Sequence, residues 1–166
     1  MAKKKVTRKI KKTLLAVGEG ISEKAFLQHL KSIYSKGDPK ITVVTAGGKG
    51  PSNIIKHAIS CVNCDGYDRC IVLLDTDLPW PSTLVKQAKS KGIILVGADP
   101  CLEGLLLDIL TINKCNTNKG CKEKLHPLLS GASTSKDSYQ TLFTASVLNE
   151  SRKVISQLDV LISEFS

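Results

Sequence analysis

Five carboxylates occupy positions where residue type and spacing could do chemistry. Glu19 lies between glycines in Val17-Gly18-Glu19-Gly20. Asp75 and Asp77 form a D-x-D pair directly after the apolar run 70–74 (CIVLL). Asp99 and Glu103 flank Pro100 and Cys101. Carboxylates brought to one place repel and raise one another's pKa. A divalent cation relieves that repulsion. Mg²⁺, or Mn²⁺ in its stead, takes hard oxygen ligands, typically one or two carboxylates with water and substrate phosphate. The alternation of an extended chain puts Asp75 and Asp77 on one side, so both can reach one metal or a pair. Glu19 is then a third ligand or a general acid/base. A D-x-D by itself is also a common turn or helix cap. The combination with a glycine-flanked acid after an earlier strand is more specific.

The elements that must position these acids alternate regularly. Residues 13–17 (TLLAV), 41–45 (ITVVT), 70–74 (CIVLL) and 93–96 (IILV) read as strands, β-branched or continuously apolar as in a buried parallel sheet. Between them fall helical patterns. Ala25, Phe26, Leu30 and Ile33 share one face after Ser22 and Glu23. Ile54, Ile55, Ala58 and Ile59 share another, with Pro51 in the first turn. A third helix is expected over about 82–90 and a fourth over 101–112. This βαβαβαβα order predicts an α/β fold, a parallel sheet of about four strands flanked by helices. Function in such sheets collects at the carboxyl ends of the strands, which is where Glu19, Asp75, Asp77, Asp99 and Glu103 fall. The expected organisation is a basic arm over 1–12, the α/β domain over 13–113, and a helical C-terminal extension over 114–166 packed on the same domain. That extension reads as a polar loop, a short helix near 121–129, a Ser/Thr-rich linker and one or two helices. Val154, Ile155, Leu158, Leu161 and Ile162 form its amphipathic stripe.

Charge is unevenly spread over the 166 residues. Of 24 lysines and arginines, seven fall in residues 1–12, and the other 17 face 15 acids, a net +2. The formal +9 is therefore a cationic arm on a nearly neutral globule. Lys3, Lys4, Lys5 and Arg8 on the arm are candidate contacts to DNA or RNA phosphates through counterion release; a solvated tail is the plainer reading. Lys24 and Lys49 are candidate substrate contacts on the domain. Lys49 sits in Gly47-Gly48-Lys49-Gly50, whose glycines can turn backbone N–H groups toward an anion. Only seven residues are Phe, Tyr or Trp, which argues against a base-stacking platform of the RRM or OB kind. No run approaches the ~18 apolar residues of a membrane span. Residues 14–17 are too short for a signal-peptide core. A cytoplasmic protein with no membrane partner is expected.

Cys61 and Cys64 form a C-x2-C, and Cys115 and Cys121 a looser pair. A four-cysteine structural zinc site is one reading, although C-x5-C is not a standard zinc spacing. Buried or idle thiols are the other. His29, His57 and His126 pair with no serine or cysteine at a spacing that suggests nucleophilic catalysis.

Three passages resemble a known family. Leu14 to Leu27 (LLAVGEGISEKAFL), Ile71 to Asp77 (IVLLDTD) and Val96 to Leu107 (VGADPCLEGLLL) resemble the motifs of the Toprim domain, and most closely those of RloB-like proteins, small Toprim proteins of defence loci akin to OLD-type nucleases. Glu19, Gly20, Glu23 and Phe26 match the first motif, and Pro100, Cys101, Glu103 and Leu106 the third. Leu102 stands where the family has Phe, and Gly104 and Leu105 occupy the stretch where it has Trp. The resemblance covers roughly 13–110. It implies a Toprim-like, Rossmann-like sheet and Mg²⁺-dependent phosphodiester chemistry. Glu19, Asp75 and Asp77 correspond to the signature acids and Glu103 to the acid of the third motif. It also implies a separate ATPase partner, and it assigns Cys101 to a motif rather than to zinc.

Metal-dependent cleavage of nucleic acid by activated water is the leading functional expectation. A Toprim-like regulatory subunit that binds metal or nucleotide without catalysis is the alternative. A HAD-type phosphatase is more remote, because its D-x-D follows the first strand and this one follows the third.

Overall fold

The computed structural model describes residues 10–166. Lys3, Lys4, Lys5 and Arg8 lie outside the described residues. The chain runs β1 (Thr13–Gly18), α1 (Ile21–Tyr34), β2 (Lys40–Thr45), α2 (Pro51–Asp65), β3 (Arg69–Asp75), α3 (Ser82–Ser90), β4 (Ile93–Ala98), α4 (Leu102–Ile109), α5 (Asn118–Leu125), α6 (Ala145–Ser151) and α7 (Ser156–Phe165). Single 3-10 turns occupy His126–Leu128 and Lys136–Tyr139. The four strands are all parallel in the order β2-β1-β3-β4.

Period-two alternation divides each central strand between two cores. Leu14 and Ala16 of β1, with Ile71 and Leu73 of β3, face a core shared with Phe26, Leu30, Leu102 and Leu106. Leu15 and Val17, with Cys70, Val72 and Leu74, face the opposite core of Ile54, Ile55, Ala58 and Ala88. This follows from chirality. A right-handed crossover from β1 outward to β2 puts α1 on one face. The return from β2 to β3, and the step on to β4, put α2 and α3 on the other.

The C-terminal segment completes the α1 face. Tyr139, Phe143, Leu148, Leu158, Leu161, Ile162 and Phe165 join the same core as Phe26. Phe26 meets Tyr139 and Phe143 edge-on at centroid distances of 5.7 and 6.0 Å. The Ser/Thr-rich stretch is therefore no simple linker, because its 3-10 turn delivers Tyr139 to the core. Two expectations change. The fourth helix ends at Ile109 rather than 112, where Thr111 turns left-handed at φ 58°. The C-terminal stripe is broken, since the chain leaves helical form between α6 and α7 and leaves Val154 85% exposed. Among the described residues no helix is long and apolar enough to cross a membrane.

Candidate functional site

The strand order reverses direction between β1 and β3, and the crevice at the carboxyl ends there is the favoured ligand site of an open α/β sheet. Glu19 follows β1 and Asp75 ends β3, so both stand at that crevice. Gly18 permits the approach. A Cβ there would lie 2.7 Å from Lys24 N and 2.9 Å from Glu23 Cβ, so only glycine lets β1 pass under the first turn of α1.

The acids are tied together through the backbone. Asp75 N donates to Glu19 Oε2 at 2.8 Å, bridging the ends of the two strands. Asp75 Oδ1 accepts from Leu102 N at 3.1 Å, at the N-terminus of α4, where the helix dipole favours negative charge. The loop after Asp75 is anchored by Pro100 O, which accepts from Thr76 N and Asp77 N at 3.2 and 3.1 Å. Trp80 Nε1 donates to Asp75 O at 3.0 Å. Chain direction thus changes immediately after Asp75. Asp77 is not on an extended strand but on an exposed bend, where its Oδ2 accepts from Asn118 Nδ2 at 2.8 Å. Glu103 is buried in the first turn of α4, and its Oε1 lies 2.8 Å from His126 Nε2. Glu23, also buried, accepts from Gly20 N at 2.8 Å.

Electrostatics mark Asp75 as the centre. Burial first, then the charges of Glu19, Glu23, Asp77 and Glu103, push its carboxyl up to about 8. Burial likewise raises Glu23, with Glu103 and Glu19 adding to it. Four of the five acids predicted from sequence, Glu19, Asp75, Asp77 and Glu103, therefore act on one place, and Glu23 joins them. Asp99 does not. Its carboxylate takes Thr76 Oγ1 at 2.9 Å and the Lys114 ammonium at 3.1 Å, contacts that lower its pKa.

The lysines divide. Lys49 is exposed in a run of four left-handed residues, Gly47 to Gly50, with φ 69° at Lys49 itself. Gly48 N donates to Glu19 O at 2.9 Å, so this loop leans on the site. Lys24 is half-buried in the first turn of α1, and among the described residues its ammonium makes no salt bridge to the acids.

The two cysteine pairs are not brought together. Cys61 packs against the α2 face, whereas Cys121 and Cys115 belong to the opposite core, where Cys121 Sγ donates to Cys115 O at 3.1 Å. The sheet separates them. Cys101 is buried at the start of α4, and burial pushes its thiol up to about 12. Tyr139, a conceivable nucleophile by residue type, has its ring in the core and its hydroxyl donating to Ser133 O.

Sequence reasoning missed four contributors. Glu23 carried a signal, since it stands at the third position of a helix that starts beside Glu19. His126, Asn118 and Trp80 carried none, because each reaches the site through folding of a separate segment.

Among the described residues no group of three or more His, Cys, Asp or Glu side chains is arranged to hold a metal ion. The donor chemistry nonetheless fits Mg²⁺ held by one or two carboxylates with water completing the shell. Asp75 and Glu19 offer hard oxygens, and the repulsion of the neighbouring acids, which adds to burial in raising the Asp75 pKa, is what a divalent cation would relieve. A closed cage of protein ligands does not fit. No family model, no curated protein and no solved structure matches this chain.

Proposed function

We propose that the crevice between β1 and β3 binds Mg²⁺ or Mn²⁺ and cleaves phosphodiester bonds of nucleic acid. One observation carries the reading. Asp75 sits at the switch point, on the N-terminus of α4, with its pKa pushed to about 8 by burial and four neighbouring acids. A group so perturbed in a crevice is a mark of a functional site.

Asp75 and Glu19 would hold the cation, with Asp77 reaching it from the bend. When bound, the cation would supply charge stabilisation to the phosphoryl oxygens. Glu19 commits Oε2 to Asp75 N, which leaves Oε1 to take a proton from an attacking water. Lys49, poised on the loop beside Glu19, would contact a non-bridging phosphate oxygen. Glu103, fixed by His126, and Glu23, fixed by Gly20 N, would keep the local potential negative and the cation in place.

The test is a cleavage assay with Mg²⁺ and Mn²⁺ on single- and double-stranded DNA and on RNA. Asp75→Asn is expected to lower the rate by at least about a hundredfold. Activity that persists in an Asp75→Asn/Asp77→Asn double variant would exclude the assignment.

A further inference from the structure

Beside the acidic crevice, on the α3 side, lies a groove of about 550 Å³. That volume is within the range of small-ligand clefts. Thr76, between the two aspartates, forms its inner wall, and Leu78, Trp80 and Val85 supply an apolar lining. Lys86 and Lys89 form its rim. Leu78 is 52% exposed although it is a large apolar residue in the loop of the site. Trp80 is the only tryptophan of the chain. Its orientation is fixed at two points, since Nε1 donates to Asp75 O and its six-membered ring lies over Gly97. A Cβ at Gly97 would meet that ring at 3.2 Å. Both lysines are exposed, and among the described residues neither forms an ion pair. Three residues apart on one helix, they share a face.

The geometry points to a base-binding subsite. This groove takes one unpaired base of a nucleic acid strand against Trp80, with Lys86 and Lys89 on the flanking phosphates. The inference rests on the phosphodiester reading, because it names the substrate class of that same site as single-stranded. Three features select this occupant. A rigid indole with apolar neighbours matches a base face, which stacks without regard to sequence. The unpaired lysines match a polyanion. Thr76 lines the groove and stands between Asp75 and Asp77 in the chain, so a strand whose base is seated here lies at the same end of the sheet as the crevice. A paired base in a duplex has both faces covered by its neighbours and cannot enter.

Trp80 is its own reporter. The wild-type protein is titrated in EDTA with a short oligothymidylate, with the same strand in duplex form, and with inorganic triphosphate. The single strand is expected to quench Trp80 emission saturably, while duplex and triphosphate leave it unchanged. Anisotropy of a labelled oligothymidylate then reads the variants. Trp80→Leu should weaken binding about tenfold, and Trp80→Phe, which keeps a ring, should lose much less. Lys86→Ala/Lys89→Ala, on an exposed face that folding does not depend on, should weaken binding several-fold and flatten its salt dependence. An unchanged emission on saturation with the single strand overturns the inference. So does equal quenching by duplex, quenching by triphosphate alone, or wild-type affinity in both Trp80→Leu and the double lysine variant. Quenching without cleavage under Mn²⁺ would sink the phosphodiester reading and leave the subsite standing. Cleavage without quenching would do the reverse.

Discussion

Asp75 links site chemistry to stability. Its folded pKa of about 8 lies above the ordinary aspartate value of 3.8, so the folded state keeps a proton that the unfolded chain releases. The stability this confers is fully present below the unfolded pKa and is lost as pH rises through the folded one. The cation-free protein should therefore lose stability between about pH 4 and about pH 8. Asp75→Asn should reduce that slope to the part the raised Glu23 carboxyl contributes, and stabilise the cation-free protein by about 2 kcal/mol at the upper end. Urea unfolding of both proteins across this range checks it, and a slope unchanged by the substitution refutes it. Mn²⁺ should reduce the wild-type slope by taking the proton's place. His126 acts on a second acid. His126→Ala leaves the buried Glu103 Oε1 without its 2.8 Å partner, which should cost about 1–3 kcal/mol of unfolding free energy. Thermal unfolding of the variant would show it.

At the scale of elements, two close approaches hold the site in register. A Cβ at Gly104 would lie 2.2 Å from Asp99 O and 2.8 Å from Pro100 Cδ. The first turn of α4 is thus pressed onto the loop whose Pro100 carbonyl holds Thr76 and Asp77. Gly104→Ala should destabilise the fold by about 2–3 kcal/mol. It should also weaken cation binding, measured by calorimetry with Mn²⁺, because the loop carrying Asp77 must shift. Lys49 tests the opposite relation. A side chain at φ 69° carries backbone strain of about 1–2 kcal/mol. Lys49→Gly relieves it but loosens the unfolded chain by about as much. Melting temperature should stay nearly constant while affinity for substrate falls, and a fall in both would assign Lys49 to the fold instead. The helix patterns of α1 and α2 were legible because their apolar faces repeat with helical period. The break between α6 and α7 was not. Val154 and Ile155 fit a helical stripe by type, and only packing shows that the chain turns there.

Across the whole molecule, an acidic crevice lies in a protein of formal charge +9. The excess positive charge is concentrated at the N-terminus, away in sequence from every acid of the site. Deleting residues 1–9, five of which are basic, should lower the slope of log affinity for DNA against log salt by up to about 4. Mn²⁺ binding should be unaffected, since Ile10 onward and the whole crevice remain. An unchanged salt slope would remove the arm from substrate binding.

Sequence alone determined the parallel sheet and the acids at its edge. Each strand is a short apolar or β-branched run, each crossover has helical period, and Glu19 directly follows β1 while Asp75 ends β3. In a parallel sheet, adjacency to a strand's carboxyl end in sequence is adjacency in space. Tertiary structure alone decided what those acids touch. Glu19 meets Asp75 across 56 residues, Asp77 meets Asn118 across 41 and Glu103 meets His126 across 23. It also separated the cysteine pairs onto opposite faces of the sheet and set Trp80 beside the crevice. Such partners depend on which apolar faces pack together and on the handedness of each crossover, and no local pattern in the chain encodes them.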